Sequence, residues 1–444
     1  MPGAMTQAGP AKLCRKCKDK EAVHNIRSDN FCSECFCQFV ATKTVKRLEV
    51  LNRDKRNLHN GRPNGSKTFY SGLSFGASSS ALIDILEQIT LSRLSRGKDA
   101  SFALHVIHID TDLQDSSDTA AAPTQSIPGA EKRLDLWRAR YPRFTFERVP
   151  LVQVLALNTI DWAALQPPPH DATASSEITE RTEQAARPTT LQDLRNLLAN
   201  LPSATSRRDI LELLVRRLLI ARATASWKAD VQTTDKPSGK TIQKCDALLF
   251  GYSTTALAER TLVETAKGRG FSLPWQINDG PVDDGEGHSL PLYYPVRELF
   301  RNELVQYTNA CQPPLTEGGL IVSAASTSSG TDQASAVVSH RELSIEEVLT
   351  RYFADVEVNY PSVVANVVRT TAKLERHGHD EDGAVDASKG EGRRSAGCRV
   401  CGMPLDEAGN ERWRGEIGRL DGPEGRPRTG MDRLCYGCDR SIHG

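Results

Sequence analysis

Apolar positions recur along this chain with two periods, and the switching between them predicts most of its elements. Phe39, Val40, Val45, Leu48 and Leu51 fall at helical spacing, which predicts a helix over Phe39–Asn52. From Lys67 onward, short apolar runs alternate with longer helical patterns. Thr68–Leu73, Phe102–Ile109, Phe144–Leu151 and Ala247–Tyr252 read as strands. Ala81–Leu94, Ala130–Arg140, Asp209–Trp227 and Thr254–Lys267 read as the helices between and after them; the first carries Leu82, Ile83, Ile85, Leu86, Ile89 and Leu91. Strands separated by helices predict an α/β fold, a doubly wound parallel sheet. Toward the end, Ser344–Val356 and Ser362–Leu374 read as paired helices, and Ser344-x-x-Glu347 has the form of a capping box.

Three stretches break the pattern. Gln166–Thr190 is rich in Pro, Ala, Thr and charge, Ile321–Val338 in Ser, Ala and Thr, and His377–Arg394 in Gly, Asp, Glu and His. Such compositions cannot bury a core, so they read as inserted loops or linkers. The expected organisation is a small cysteine-bounded module with a basic helix over 1–62 and an α/β domain over 63–310 carrying a disordered insertion at 165–190. A linker and helical pair (311–375), a disordered linker (376–397) and a second cysteine module (398–444) complete it.

Composition adds exclusions. Of 444 residues, 39% are hydrophobic and 25% charged, as in soluble globular chains. No apolar run approaches the roughly 18–20 residues that span a bilayer, and Met1–Leu13 has no apolar signal core, so an intracellular, cytoplasmic chain without a membrane partner is expected. The net charge is zero, but cations concentrate near the start: Lys12, Arg15, Lys16, Lys18 and Lys20, then Lys43, Lys46, Arg47, Arg53, Lys55, Arg56 and Arg62. This is either a surface for phosphate backbones or a solvated face around a small metal knot.

Nine of the eleven cysteines crowd the two ends. Cys14-x2-Cys17 and Cys32-x2-Cys35 have the spacing of a four-thiolate metal site, each pair wrapping one side of a tetrahedral ion. Cys37 is an alternative to Cys35 as the fourth ligand, and an iron–sulfur site is the alternative to zinc. Cys398-x2-Cys401 and Cys435-x2-Cys438 form a second such set. Closed four-cysteine sites are structural, so two structural zinc ions are expected. Cys245 and Cys311 stand alone and read as buried structural thiols.

The run Ser71–Ser80 joins the first strand of the sheet to its helix. Small residues there let backbone N–H groups approach an anion at a helix N-terminus; an ordinary tight turn with a serine cap is the alternative. Ser74-Phe75-Gly76-Ala77-Ser78-Ser79 resembles the Ser-Gly-Gly-x-Asp-Ser loop of the N-type ATP pyrophosphatases. Phe75 replaces the first glycine and Ser78 the aspartate, and a serine lacks the charge to hold Mg²⁺. Ser74, Gly76, Ser78, Ser79 and Ser80 are therefore expected to be the remnant of a nucleotide loop. The resemblance further implies a Cys-x-x-Cys in the catalytic domain of thiolating members, and none stands between Cys37 and Cys398. No catalytic residue is expected.

A wider resemblance follows the chain in order. It comprises Cys14-Arg-Lys-Cys17, Arg27, Phe31-Cys32-x-x-Cys35-Phe36, the loop Ser74–Ser80 and Leu201-Pro202-Ser203 with Arg208-Asp209-Ile210-Leu211. Leu249-Phe250-Gly251 with Leu257-Ala258, Gly268-Arg269-Gly270, Pro295–Leu299, Tyr360–Val364 with Arg369-Thr370 and the Cys398–Cys438 set continue it. Together these resemble the cytoplasmic tRNA 2-thiolation protein 2 family. That resemblance implies a subunit working beside a catalytic tRNA thiolase subunit, with sulfur from a thiocarboxylated ubiquitin-like carrier. The product would be the 2-thiolated wobble uridine of tRNA for lysine, glutamine and glutamate, which also carries a 5-methoxycarbonylmethyl group. Lys12, Arg15, Lys16, Lys43, Lys46 and Arg47 are the candidate tRNA contacts. The alternatives are an ATP-dependent thiolase active in its own right and a zinc-ribbon adaptor for protein partners.

Overall fold

The computed structural model describes residues 12–58, 67–113, 129–165, 187–232, 245–286, 288–322, 343–376, 397–405 and 434–444. The greater part of the three expected linkers, 166–186, 323–338 and 377–394, lies outside these residues, as do Lys55, Arg56 and Arg53 side chains and all of Arg62.

The chain opens with a small antiparallel hairpin, β1 (His24–Ile26) and β2 (Asp29–Phe31), followed by helix α1 (Ser33–Leu58). The helix starts six residues before the expected Phe39, because the second cysteine pair lies at its N-terminus rather than in a preceding loop. The body is a six-stranded sheet in the order β5-β4-β3-β6-β8-β7. Its strands are β3 (Lys67–Gly72), β4 (Phe102–Asp110), β5 (Thr145–Pro150), β6 (Ala247–Leu249), β7 (Gly280–Asp283) and β8 (Ser289–Tyr293). All pair in parallel except the edge strand β7, which is antiparallel to β8. This is the expected doubly wound sheet, extended by a hairpin that the sequence pattern hid. Pro281 and Pro291 sit opposite each other in that hairpin, and proline is tolerated at a sheet edge but lowers a strand's sequence signal.

Helices α2 (Ala77–Leu94), α3 (Ala130–Arg140) and α8 (Arg301–Ala310) and the N-terminal helix α1 cover one face. The other face carries α4 (Leu191–Ala199), α5 (Ala204–Gln232), α6 (Thr254–Ala266), α7 (Leu273–Ile277), α9 (Ile345–Asn359) and α10 (Pro361–Thr371). The last short helix α11 (Tyr436–His443) joins them. The Ser344–Glu347 capping box forms as read from the sequence.

Alternation along the strands divides the core in two. Phe69, Leu104, Val106, Phe146 and Leu249 point to the layer containing Trp137, Leu82 and the N-terminal Cys14, Phe36 and Val40. Tyr70, Ile107, Val149, Leu248 and Leu292 point to the opposite layer, which contains Leu214, Leu218, Cys398, Cys401, Cys438 and Ile442. Each cysteine end is thus built into a different face of the same sheet.

Candidate functional site

The strand-to-helix loop was expected to run to Ser80. In the structure α2 begins at Ala77, so Ser78, Ser79 and Ser80 form its first turn, and the loop proper is Leu73–Gly76. Phe75 adopts φ +58, the left-handed region that a glycine would enter without strain. Its ring is 2% exposed. It lies against the His108 imidazole at a centroid distance of 4.2 Å, with the Arg133 guanidinium 4.9 Å over its face. Burial offsets the backbone strain, which costs on the order of 1–3 kcal/mol.

A second segment closes over this ring. The Phe75 carbonyl accepts from Val322 N at 2.9 Å. Arg133 Nε donates to Gly319 O at 3.1 Å and Trp137 Nε1 to Leu320 O at 3.1 Å. Polar groups of the loop are occupied internally. Ser74 N and Ser74 Oγ meet Ser79 Oγ at 3.3 and 3.1 Å, and Ser79 Oγ donates to Gly76 O at 3.2 Å. From the far side Gly251 approaches so closely that a side chain there would lie 2.7 Å from Ser79 Cα. His108 Nδ1 donates to Leu73 O at 2.8 Å, which fixes its neutral tautomer, and burial holds its pKa below the ordinary imidazole value. The loop is therefore packed around the Phe75 ring and against Gly251, while Ser74 stays exposed and Gly76–Ser78 half-buried.

The two cysteine sets do converge. The sulfurs of Cys14, Cys17, Cys32 and Cys35 all lie within 4.8 Å of one another, and so do those of Cys398, Cys401, Cys435 and Cys438. Cys17 Sγ and Cys32 Sγ are 3.9 Å apart, and Cys401 Sγ and Cys435 Sγ 3.8 Å. Four sulfurs about 2.3 Å from a central ion form a tetrahedron with an edge of roughly 3.8 Å. Both sets therefore fit a single tetrahedral ion. Cys37, the alternative fourth ligand, lies apart from the first set, near Cys311 and Asp84, and burial pushes its thiol up to about 12. The thiols of the first set diverge: burial raises Cys14, but the backbone donors of Cys17, Cys32 and Lys16 outweigh it and bring it to about 6, whereas burial and the neighbouring Cys32, Cys14 and Cys17 push Cys35 up to about 12.

The surroundings of the two sets differ. The N-terminal knot is held to the body by Arg27, whose Nε and Nη2 donate to the Glu303 carboxylate at 2.6 and 2.8 Å. Arg27 Nη2 also reaches Glu298 O at 2.7 Å, and its guanidinium lies 4.9 Å over the Phe300 ring. The C-terminal set rests on a buried charge network of the body. Asp209 accepts from Lys267 Nζ and Arg269 Nη1, each at 2.8 Å, and from Ser441 Oγ of α11 at 2.6 Å. Burial raises the Asp209 carboxyl, yet Arg269 and Lys267 outweigh it and hold it down at about 2. In the sequence Asp209 and Arg269 stand only as parts of the motifs Arg208–Leu211 and Gly268–Gly270. Their meeting joins positions 60 apart in the chain, and the signal available was charge inside otherwise apolar segments.

Of the candidate tRNA contacts, several have partners within the chain. Arg15 pairs with Asp29, Lys16 donates to Gln38 Oε1 at 2.7 Å, Lys43 lies 3.7 Å from Glu298 and Arg47 pairs with Asp279. Lys12 and Lys46 are exposed and form no ion pair among the described residues.

No helix among the described residues is long and apolar enough to cross a membrane. A family model described as cytoplasmic tRNA 2-thiolation protein 2 matches residues 344–440. Similar proteins include cytoplasmic tRNA 2-thiolation protein 2 of Phaeosphaeria nodorum, 34% identical over 100% of this chain and 97% of its own length. That of Pyrenophora tritici-repentis is 33% identical, with the same two coverages. That of Sclerotinia sclerotiorum is 34% identical over 84% of this chain and 90% of its own. Among solved structures, a U34-tRNA thiolase NcsA from Methanococcus maripaludis with its [4Fe-4S] cluster is 13% identical, with a TM-score of 0.44, over 83% of this chain and 88% of that one.

Proposed function

This chain belongs to the cytoplasmic tRNA 2-thiolation protein 2 family, and from that premise we propose that it is a non-catalytic subunit in the cytosolic 2-thiolation of the tRNA wobble uridine. A catalytic thiolase subunit would activate the base, and a thiocarboxylated ubiquitin-like carrier would bring the sulfur. The observation that carries this reading is the closed loop. Phe75 is buried between His108 and Arg133 where an active loop would present open backbone, and Gly251 packs against Ser79. An ion held by Cys14, Cys17, Cys32 and Cys35, and another held by Cys398, Cys401, Cys435 and Cys438, would be zinc. A mononuclear centre fits sulfurs within 4.8 Å of one another, whereas a multi-iron cluster would separate its ligands further. Four protein thiolates leave no coordination position open, so the zinc supplies rigidity rather than chemistry.

Of the candidate contacts, Lys12, Lys16 and Lys46 are the cations left without an ion pair among the described residues to meet a phosphate backbone, while Arg47 ties α1 to the body through Asp279.

The test is the thiolation state of lysine tRNA in cells lacking this chain, read as retarded migration on a mercury-containing gel. Rescue would be tried with the wild type and with Ser74→Ala, Ser78→Ala and Ser79→Ala combined. Loss of the retarded band and its return with both forms is the expected outcome. A band that never depended on the chain overturns the proposal. Rescue by the wild type alone, together with Mg²⁺-dependent ATP binding by the isolated chain, favours a thiolase active in its own right.

A further inference from the structure

The C-terminal cysteine set differs from the N-terminal one in what surrounds its sulfurs. A divalent ion with four thiolates carries a net charge of about −2, and burying that charge is costly unless cations and N–H donors meet it. Three of its cysteines, Cys398, Cys401 and Cys438, are at most 2% exposed. Two body arginines stand against them. Arg269, itself 3% exposed, donates to Asp209 from both Nη1 at 2.8 Å and Nη2 at 2.5 Å, and Nη2 also points at Cys438 Sγ at 3.5 Å. Arg217 on α5 lies so close to Gly402, the residue after Cys401, that a side chain there would come 2.2 Å from Nη1. Arg217 Nη2 donates to Thr159 O at 3.1 Å, and its Nε is buried without a partner among the described residues. Backbone donors add to this: Cys435 N lies 3.3 Å from Cys398 Sγ and Cys438 N 3.4 Å from Cys435 Sγ.

The docking is close on the backbone side as well. Gly268 at φ +76 lies under the Tyr436 ring, where a side chain would come 2.2 Å from its Cδ1. Gly437 faces Lys267 O, at 2.6 Å from a side chain placed there. The Gly268-Arg269-Gly270 segment is thus a seat for the second cysteine pair. Asp161 N donates to Arg399 O at 2.9 Å and anchors the first pair separately.

We propose that Arg269 is a positioning residue of the C-terminal metal centre, donating to the Cys438 thiolate from the Asp209 network, so that metal loading and docking of the chain's end on α5 and α6 are one coupled event. The N-terminal centre has no such body cation on its sulfurs among the described residues and serves as an internal control. The inference rests on the metal reading above but not on tRNA chemistry.

The full chain, loaded with Zn²⁺ alone, would be challenged with a chromophoric chelator. Two equivalents should leave in two phases. Arg269→Gln should speed loss of the C-terminal equivalent by roughly 10–100-fold and leave the N-terminal phase unchanged, whereas Arg269→Lys, which keeps the charge, should fall between. Equal acceleration of both phases means that Arg269 acts only through global stability and overturns the proposal, as does an unchanged C-terminal phase. If Arg269→Gln does not fold, the wild type decides. Stripping the C-terminal equivalent should raise hydrogen exchange across 204–216 and 264–272 together with 435–443; exchange rising in 435–443 alone overturns the coupling. A wild type that binds one equivalent overturns the underlying metal reading, whatever the tRNA gel shows.

Discussion

The two cysteine ends share a spacing and little else. At the N-terminus Cys14 and Cys32 are buried but Cys17 is exposed, the nearby ion pairs Arg15–Asp29 and Lys20–Glu34 lie at the surface, and the body is held through Arg27, Lys43 and Arg47, none of which touches a sulfur. At the C-terminus three sulfurs are buried, and Asp209, Lys267 and Arg269 connect them to α5 and the end of α6 with side chains 3% exposed or less. They also stand in opposite hydrophobic layers of the sheet. A Cys-x-x-Cys pair therefore specifies a ligand set, whereas its role depends on whether the fold surrounds the sulfurs with solvent or with its own charges. The first end has one side in the core and Cys17 in solvent, whereas the second has the form of an internal clamp.

The strongest way to break this contrast is to remove one ligand from each end. Cys438→Ser should destabilise the whole body, since it opens a buried metal centre and leaves Arg269 facing a neutral hydroxyl. A loss of at least 3–5 kcal/mol, the cost of stranding one partner of a buried charge pair, is expected in urea unfolding. Cys32→Ser should release one metal equivalent and expose residues 12–32 to protease, with a loss of about 1–2 kcal/mol from the body. Equal losses would mean that both ends are clamps.

A smaller effect comes from cutting the contacts behind each centre. Asp209→Asn removes the anion shared by Lys267, Arg269 and Ser441 and should cost about 3 kcal/mol, because two buried cations lose one carboxylate each and keep Glu346 and Glu264. Arg27→Met leaves the Glu303 carboxylate, 3% exposed, without its guanidinium and should cost about 2 kcal/mol. Here the comparison is sharpened by what comes loose. Limited proteolysis should free the N-terminal module in Arg27→Met and the last helix in Asp209→Asn.

Much of this architecture was legible beforehand, and the gaps have physical causes. Four strands and the helices between them followed from periodicity because a parallel sheet buries both faces of its strands; β3 is buried at four consecutive positions. The β7–β8 hairpin was hidden by its prolines, and α11 by its length and by Cys435 at its cap and Cys438 within it. The starts of α1 and α2 were set too late, since cysteines and serines read as loop although local contacts make them helical. The ligand quartets were readable because they are local pairs. The choice of Cys35 over Cys37 needed three dimensions, as did the Arg27–Glu303 pair, 276 positions apart, and the contact of Ser441 with Asp209, 232 apart.

The faces should also respond to acid in different windows, the smallest of these effects. On the N-terminal face His108 is half-buried against Phe75, with its pKa held below the ordinary 6.5. The unfolded chain then binds a proton that the folded chain resists, so stability is lost as pH falls through and below 6.5. On the C-terminal face Asp209 is depressed from 3.8 to about 2, so its contribution persists until pH falls below about 4 and goes as pH approaches 2. Of these two groups, only His108 titrates between pH 7 and 5. His108→Gln, which keeps a donor for Leu73 O but cannot charge, should flatten the fall in unfolding stability over that range. Asp209→Asn should leave the slope there untouched while lowering the whole curve. A slope that His108→Gln does not change would show that the ring under Phe75 accepts a proton freely, and the closed loop would then be open to water.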